Sequence, residues 1–195
     1  MLNHFKYQEK IGAAHLSAYK KFNKTSIQAG LRLESTVADG YTVKQAVENN
    51  WKYTRLFPSL SVDHEIDKNN RINLSASRRI DRPTYSSLNP VRWYNDQYFF
   101  YSGNPYLKPE MAWLFSSGYT LKDKYVLTVS YGRHTDYISK RTVVEPGTNA
   151  SISQSANFDK MDRVDVLASV VVSLFSFWQM QLTTGTNLCA TRWLF

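Results

Sequence analysis

The chain has 195 residues, of which 43% are hydrophobic, 14% aromatic and 21% charged, with a net charge of +8. No stretch approaches the roughly 18 apolar residues of a membrane-crossing helix, and the single cysteine, Cys189, excludes an internal disulfide framework or a metal site built on several thiolates. Lys and Arg are scattered over every segment, with no basic helix, which argues against a nucleic-acid partner.

The mean hydropathy of −0.43 suits a water-soluble sheet protein. It suits equally a barrel in which half of each strand faces a polar lumen.

A period of two recurs along the chain and predicts extended strands. Segment one covers 10–22. Ile11, Ala13 and Tyr19 alternate there against Ala14, Leu16 and Phe22, so its facing is ambiguous. A short turn at 22–25 leads to segment two, 26–36, with Ile27, Ala29, Leu31 and Leu33 on one face and Gln28, Gly30, Arg32 and Glu34 on the other. Residues 37–52 read as a polar connection. Segment three, 53–66, places Leu56, Leu60, Val62 and Ile66 on one face. Pro58 interrupts it without an N–H to donate, which predicts a bulge or the strand's outer end. Asp67-Lys68-Asn69-Asn70 is a tight turn.

Segment four, 71–81, puts Ile72, Leu74, Ala76 and Ile80 opposite Asn73, Ser75, Ser77, Arg79 and Asp81. A long connection rich in aromatics, Pro and Asn follows. In segment five, 111–121, Met111, Trp113, Phe115, Tyr119 and Leu121 share one face. A tight turn at 122–124 opens segment six, 125–139. A third long connection contains Glu145-Pro146-Gly147-Thr148-Asn149. Segment seven, 161–174, aligns Val164, Val166, Ala168, Val170, Val172 and Leu174, and segment eight, 178–188, follows the 175–177 turn.

Tight turns follow segments one, three, five and seven, and long connections follow two, four and six. Soluble sandwiches mix their loop lengths. Membrane barrels have short turns at one end and long loops at the other, so this alternation favours a barrel. The expected fold is all-β: an antiparallel up-and-down meander of about eight strands forming an open curved sheet, part of a transmembrane β-barrel. A complete eight-stranded barrel and a soluble β-sandwich binding protein are the alternatives.

His4, His15, His64 and His134 show no close metal-ligand spacing, so no metal is expected. His134 and Asp136 share the polar face of segment six with Ser130, which suggests a hydrolase. Four residues along a strand span about 13 Å, however, too far for a nucleophile and its base. No catalytic residue and no cofactor is expected. Arg78, Arg79, Asp81 and Arg82 gather charge at the end of segment four. Arg32, Arg79 and Asp81 form a candidate lumen cluster, and Arg78 falls on the apolar face, where its stem can lie along lipid and its head reach headgroup phosphates. In the long connection Tyr85, Trp93, Tyr94, Tyr98, Phe99, Tyr101 and Tyr106 are candidates either to contact a ligand or to pack the connection over the mouth.

The stretches SRRIDRPTYSSLNP (77–90) and GNPYLKPE (103–110), preceded in order by IQAGLRLEST (27–36) and RLFPSLSV (55–62), resemble the outer-membrane β-barrel family related to TonB-dependent receptors. The resemblance covers nearly the whole chain and weakens after about residue 137. It implies an integral protein of the cell outer membrane, one partial barrel domain over 1–195, in a receptor-like protein that admits a bulky nutrient such as an iron chelate or an oligosaccharide. The implied partners are outer-membrane lipid, lipopolysaccharide, and the remainder of a larger barrel with its plug. Contact with TonB would come through segments outside this sequence, which shows neither signal peptide nor plug.

Overall fold

A computed structural model of the protein describes residues 5–42, 47–175 and 177–192; His4 and residues 43–46 of the first connection lie outside them. The strands are β1 (Phe5–Phe22), β2 (Thr25–Thr42), β3 (Val47–Asp67), β4 (Asn70–Asp81), β5 (Trp93–Tyr94), β6 (Phe99–Ser102), β7 (Glu110–Leu121), β8 (Tyr125–Val144), β9 (Ser151–Phe175) and β10 (Trp178–Arg192). One helical turn, α1 (Tyr85–Leu88), stands between β4 and β5.

Eight of these strands are the eight segments, paired antiparallel in the order β1-β2-β3-β4-β7-β8-β9-β10. Strands β1 and β10 stand at opposite ends of that order, so the sheet is open. The departure from a pure meander is β6. It pairs with β9 in parallel, Phe99 with Ser151 through Ser102 with Gln154, and carries β5 beside it.

The strands are longer than the alternation predicts. Strands β2 and β3 pair as far as Thr42 and Val47 and absorb most of the 37–52 connection. Strands β8 and β9 pair as far as Val144 and Ser151 and absorb most of the third. At these ends apolar and polar side chains mix on both faces, so the period of two fades from the sequence while the backbone ladder continues.

Register aligns the two faces across the whole sheet. Ala29, Leu60, Ala76, Phe115, Tyr131, Val164 and Leu188 form one row. Gln28, Ser61, Ser75, Ser116, Ser130 and Asp165 form the adjacent row on the opposite face. The ambiguity of segment one is thereby resolved. Ala18 pairs with Ala29, so Leu16 and Ala14 join the apolar face, and Tyr19, Ala13 and Ile11 join the polar one.

Among the described residues the sheet has no second layer over its apolar face. Leu16 is 76% exposed, Leu31 46% and Leu60 46%. Only ten hydrophobic side chains are buried among the described residues, too few for the core of a soluble sandwich of this length. Trp113, Phe115 and Tyr131 stack in a line on that face, with centroids 6.1 and 6.2 Å apart. Tyr119, Tyr125 and Trp178 lie on it nearer the tight turns. Aromatic rings at both ends of an apolar band match the girdles of a membrane barrel.

Pro58 behaves differently from expectation. The strand neither bulges nor ends there. The β3–β4 ladder stops at the preceding pair, Ser59 with Ser77, while β3 continues to pair with β2. The residue without an N–H is thus where β3 and β4 part, and the sheet forks above it.

Candidate functional site

Residues 82–109, between β4 and β7, turn back over the polar face at the loop end of the sheet. Arg82 begins this strap. Its guanidinium pairs with Glu34 Oε1 and lies 3.0 Å from Glu9 Oε1. The second Glu34 oxygen accepts from Arg32 Nη2 at 2.5 Å. Glu34 is 2% exposed. A carboxylate so deeply desolvated is tolerable because two guanidiniums meet it.

The strap then locks onto β1. Thr84 caps α1, its Oγ1 accepting from Ser87 N at 3.3 Å. The Tyr85 hydroxyl donates to the Phe5 carbonyl at 2.8 Å, and the two rings are 5.4 Å apart. Leu88 and Leu107 bury against Phe5, with Tyr7 and Ile138 beside them. The two motif stretches meet at Gly103. Gly103 N donates to Asn89 O at 2.9 Å and Asn104 N to Ser87 O at 2.7 Å. A Cβ on Gly103 would press into the Asn89 carbonyl, with Asn89 N at 2.7 Å and Ser87 O at 2.8 Å, so the approach requires glycine.

Beyond Gly103 the strap reaches β3 and β9. Asn49 Nδ2 donates to Pro105 O at 2.7 Å. Gln154 Nε2 donates to Gly103 O at 2.9 Å, and Asn104 Nδ2 donates to Ser155 O at 3.2 Å. The Asn157 amide closes a two-way bond, accepting from Lys108 N at 2.9 Å and donating to Lys108 O at 3.0 Å. The strap therefore ties strands near one edge of the sheet to β9, across the polar concavity.

The aromatic candidates divide into two groups. Tyr85 is spent on β1. Phe99 packs edge-on to Tyr101 at 5.0 Å, and Lys140 lies 5.7 Å over Tyr101. Phe100, not in the predicted set, is 1% exposed beneath Tyr94 and the Arg92 guanidinium. Trp93, Tyr94, Tyr98 and Tyr106 are each more than half exposed and present rings at the loop end. The hairpin is pinned by Arg92 Nη2 to Glu145 Oε1 at 2.7 Å. Arg92, and Thr148 after it, holds the Glu145 carboxyl below its usual pKa, and the Arg92 guanidinium is raised in turn, chiefly by the same bond.

Arg32, Arg79 and Asp81 all lie on the polar face as expected. Arg32 and Arg79 line one cleft of about 710 Å³ at the β3–β4 fork, while Asp81 stands in register with Glu110. The ion pairs run through partners outside that predicted set: Glu9, Glu34 and Arg82. Glu34 had a signal, since it lies two residues from Arg32 on the same face; Glu9 had none.

His134 Nδ1 sits 2.5 Å from Glu110 Oε1, and the other Glu110 oxygen accepts from Ile138 N at 3.0 Å. Ser130 pairs with Ser116 Oγ at 3.0 Å. These bonds anchor the root of the strap and assemble no nucleophile with its base.

No curated protein sequence matches the chain significantly. Among solved structures it resembles the siderophore receptor PirA from Pseudomonas aeruginosa (TM-score 0.62, 13% identity, 96% of this chain and 44% of that one). It resembles also the copper transporter OprC (TM-score 0.69, 16% identity, 95% and 29%). A third is the alcaligin receptor FauA from Bordetella pertussis (TM-score 0.60, 12% identity, 96% and 31%). The chain thus spans less than half the length of these barrels, and at such identities the likeness is one of fold. The sequence model of the outer membrane protein beta-barrel family matches residues 1–191. With one apolar face bare, one polar face strapped by the long 82–109 connection, and tight turns at the opposite end, the chain belongs to that family and is an integral protein of the outer membrane, part of a barrel wall.

Proposed function

We propose that the chain is one partial-barrel unit, 1–195, in the wall of a TonB-dependent-receptor-like protein that takes up a bulky nutrient, an iron chelate or an oligosaccharide. The observation that carries this reading is the β5–β6 hairpin. It sets Trp93, Tyr94 and Tyr98 at the loop end while the strap beneath is fastened to the polar face. Exposed rings on a braced hairpin suit stacking on a large, partly apolar ligand. Two further features agree. The edges of β1 and β10 are unpaired, which lipid does not tolerate, so the remainder of a larger barrel is the partner they need. The polar face has small Ser and Gly side chains that leave room for a plug. Outer-membrane lipid and lipopolysaccharide cover the apolar face, TonB would be met through other segments, and neither nucleic acid nor catalysis enters.

The test is removal of the coding locus from its native host. Growth is then measured with iron supplied only as a chelate, or carbon only as an oligosaccharide. Impaired growth on one source, rescued by the wild-type locus and poorly by a Trp93→Ala, Tyr94→Ala, Tyr98→Ala version, is the expected result. Undiminished growth on both would overturn the reading.

A further inference from the structure

We infer that the fork between β3 and β4 is a binding site for a phosphoryl oxyanion. Four arginines, Arg32, Arg78, Arg79 and Arg82, are among the residues that line the cleft, together with Ser59 and Ser77. The carboxylates there are already committed. Glu34 is taken by Arg32 and Arg82, and Glu9 by Arg82. Among the described residues neither Arg78 nor Arg79 is in an ion pair, and Arg78 Nε is sealed from solvent without a hydrogen-bond acceptor. Arg78 is therefore a half-buried cation with one unsatisfied donor, beside the exposed and unpaired Arg79, in a cleft with one acidic side chain in its wall. A buried, unsatisfied charged donor is costly, and an anion brought from outside removes that cost.

The backbone makes the opening. Pairing between β3 and β4 ends at Ser59 and Ser77, so residues 78–81 have no β3 strand alongside. Alternation sends Arg78 to the apolar face, 5.9 Å over the Trp113 ring, and Arg79 to the polar face. The two arginines thus bracket the gap from opposite sides of the wall. A tetrahedral phosphoryl group has oxygens for several guanidiniums at once, and arginine's fork matches it in bidentate fashion. A single carboxylate has only two oxygens to share.

The phosphoryl group has two sources: the headgroup of a lipid on the apolar face, or a soluble phosphate entering from the polar face. The site stands on its own residues and does not depend on nutrient uptake.

The test uses the whole barrel that contains this chain, labelled with ¹⁵N in arginine, in nanodiscs of digalactosyl diacylglycerol, a lipid without phosphate. The Arg78 Nε resonance, identified by its loss in Arg78→Gln, is followed in two arms. One arm titrates inorganic phosphate, and the other incorporates increasing phosphatidic acid. A saturable shift in the lipid arm alone places the group on the apolar face. A shift in the phosphate arm alone places it on the polar face, and a shift in both makes the fork open to either. Affinity is read in the responding arm by calorimetry. Arg78→Gln with Arg79→Gln should weaken it about tenfold or more, the loss of a charge-assisted pair. Glu34→Gln, which frees Arg32 and leaves Arg82 to Glu9, should strengthen it. Arg71→Gln, near the tight turns, should leave it unchanged. Absence of saturable binding in both arms, or an unaltered affinity in the Arg78, Arg79 double variant, would overturn the assignment.

Discussion

The β7–β8–β9 ladder and the strap over residues 82–109 are held by different physics. In the ladder each residue repeats the bonding of its neighbours, and side chains need only be apolar on one face and small or polar on the other. In the strap no contact repeats. Arg82 meets Glu34, Tyr85 meets the Phe5 carbonyl, Gly103 meets Asn89, and Asn157 meets Lys108, each once. A repetitive element distributes its stability and tolerates substitution; a non-repetitive one concentrates it in a few residues. The two longer recognisable motifs of this sequence, 77–90 and 103–110, coincide with the strap and its roots, while the shorter pair, 27–36 and 55–62, lies on β2 and β3.

The sharpest way to break this contrast is at Arg82. Arg82→Met leaves the buried Glu34 with Arg32 as its remaining cation, and removing one partner of a buried pair costs about 3 kcal/mol or more. The urea-unfolding midpoint in lipid vesicles should fall accordingly, and a fall no larger than that of Arg71→Gln would mean the strap is not anchored there.

Leu31→Arg probes the ladder. Leu31 lies mid-strand on the bare apolar face, so arginine there should cost roughly 2–4 kcal/mol in vesicles. Its neighbour Gly30 points the other way and should be milder, about 1 kcal/mol for Gly30→Ser. That is more than a spacious lumen would charge, because a Cβ at Gly30 would come 2.6 Å from Ser59 Oγ, which has to turn aside. Equal costs at the two positions would invert the assigned faces.

Gly103→Ala should cost about 2 kcal/mol by overpacking against the Asn89 and Ser87 backbone. Gly12→Ala is the matched control, since nothing lies within 4 Å of its added Cβ. Both are read from amide exchange, which for Gly103→Ala should accelerate in β6 and not in β7 or β8.

The smallest effect is electrostatic. Arg92 lowers the Glu145 pKa in the folded chain. A depressed carboxylate pKa contributes stability above the unfolded value, near 4.5, and that contribution is lost as pH falls through the folded value. The Glu145 carboxyl carbon shift should titrate below the usual glutamate range and move up towards it in Arg92→Gln, with the Thr148 bond keeping part of the depression. An unchanged midpoint would remove the pin from the hairpin.

How much of this was legible in the sequence follows the same division. Strands β4 and β7 and the central parts of β2, β3 and β9 announce themselves through period two, because an apolar face must alternate with a polar one. The outer ends of β2 and β3 do not. Val37, Asp39 and Tyr41 face one way and Thr36, Ala38 and Gly40 the other, a mixture in which no face is consistently apolar. The inward course of the strap was invisible for another reason. The Arg82–Glu34 pair joins residues 48 apart, and the β6–β9 pairing joins residues about 50 apart, so no local pattern encodes either. Arg32, Arg79 and Asp81 could be placed on the polar face by parity. That Arg32's carboxylate is Glu34, shared with Arg82, required the fold.

The parallel pairing of β6 with β9 fixes an order of assembly. Hairpins such as β1–β2 and β7–β8 close over turns of a few residues, so they can form as soon as their strands exist. Strand β6 has as such a neighbour the two-residue β5, and its longer pairing is with β9. It emerges before β7, β8 and β9, yet its partner is the first stretch of β9, so three later strands must be laid down before it can dock. Until then the β5–β6 hairpin carrying Trp93, Tyr94, Phe99 and Phe100 waits undocked. A chaperone or insertion machine handling this chain therefore meets an exposed aromatic hairpin until the first stretch of β9 is laid down. Strap docking, not hairpin closure, is the slow step to look for in a refolding trace.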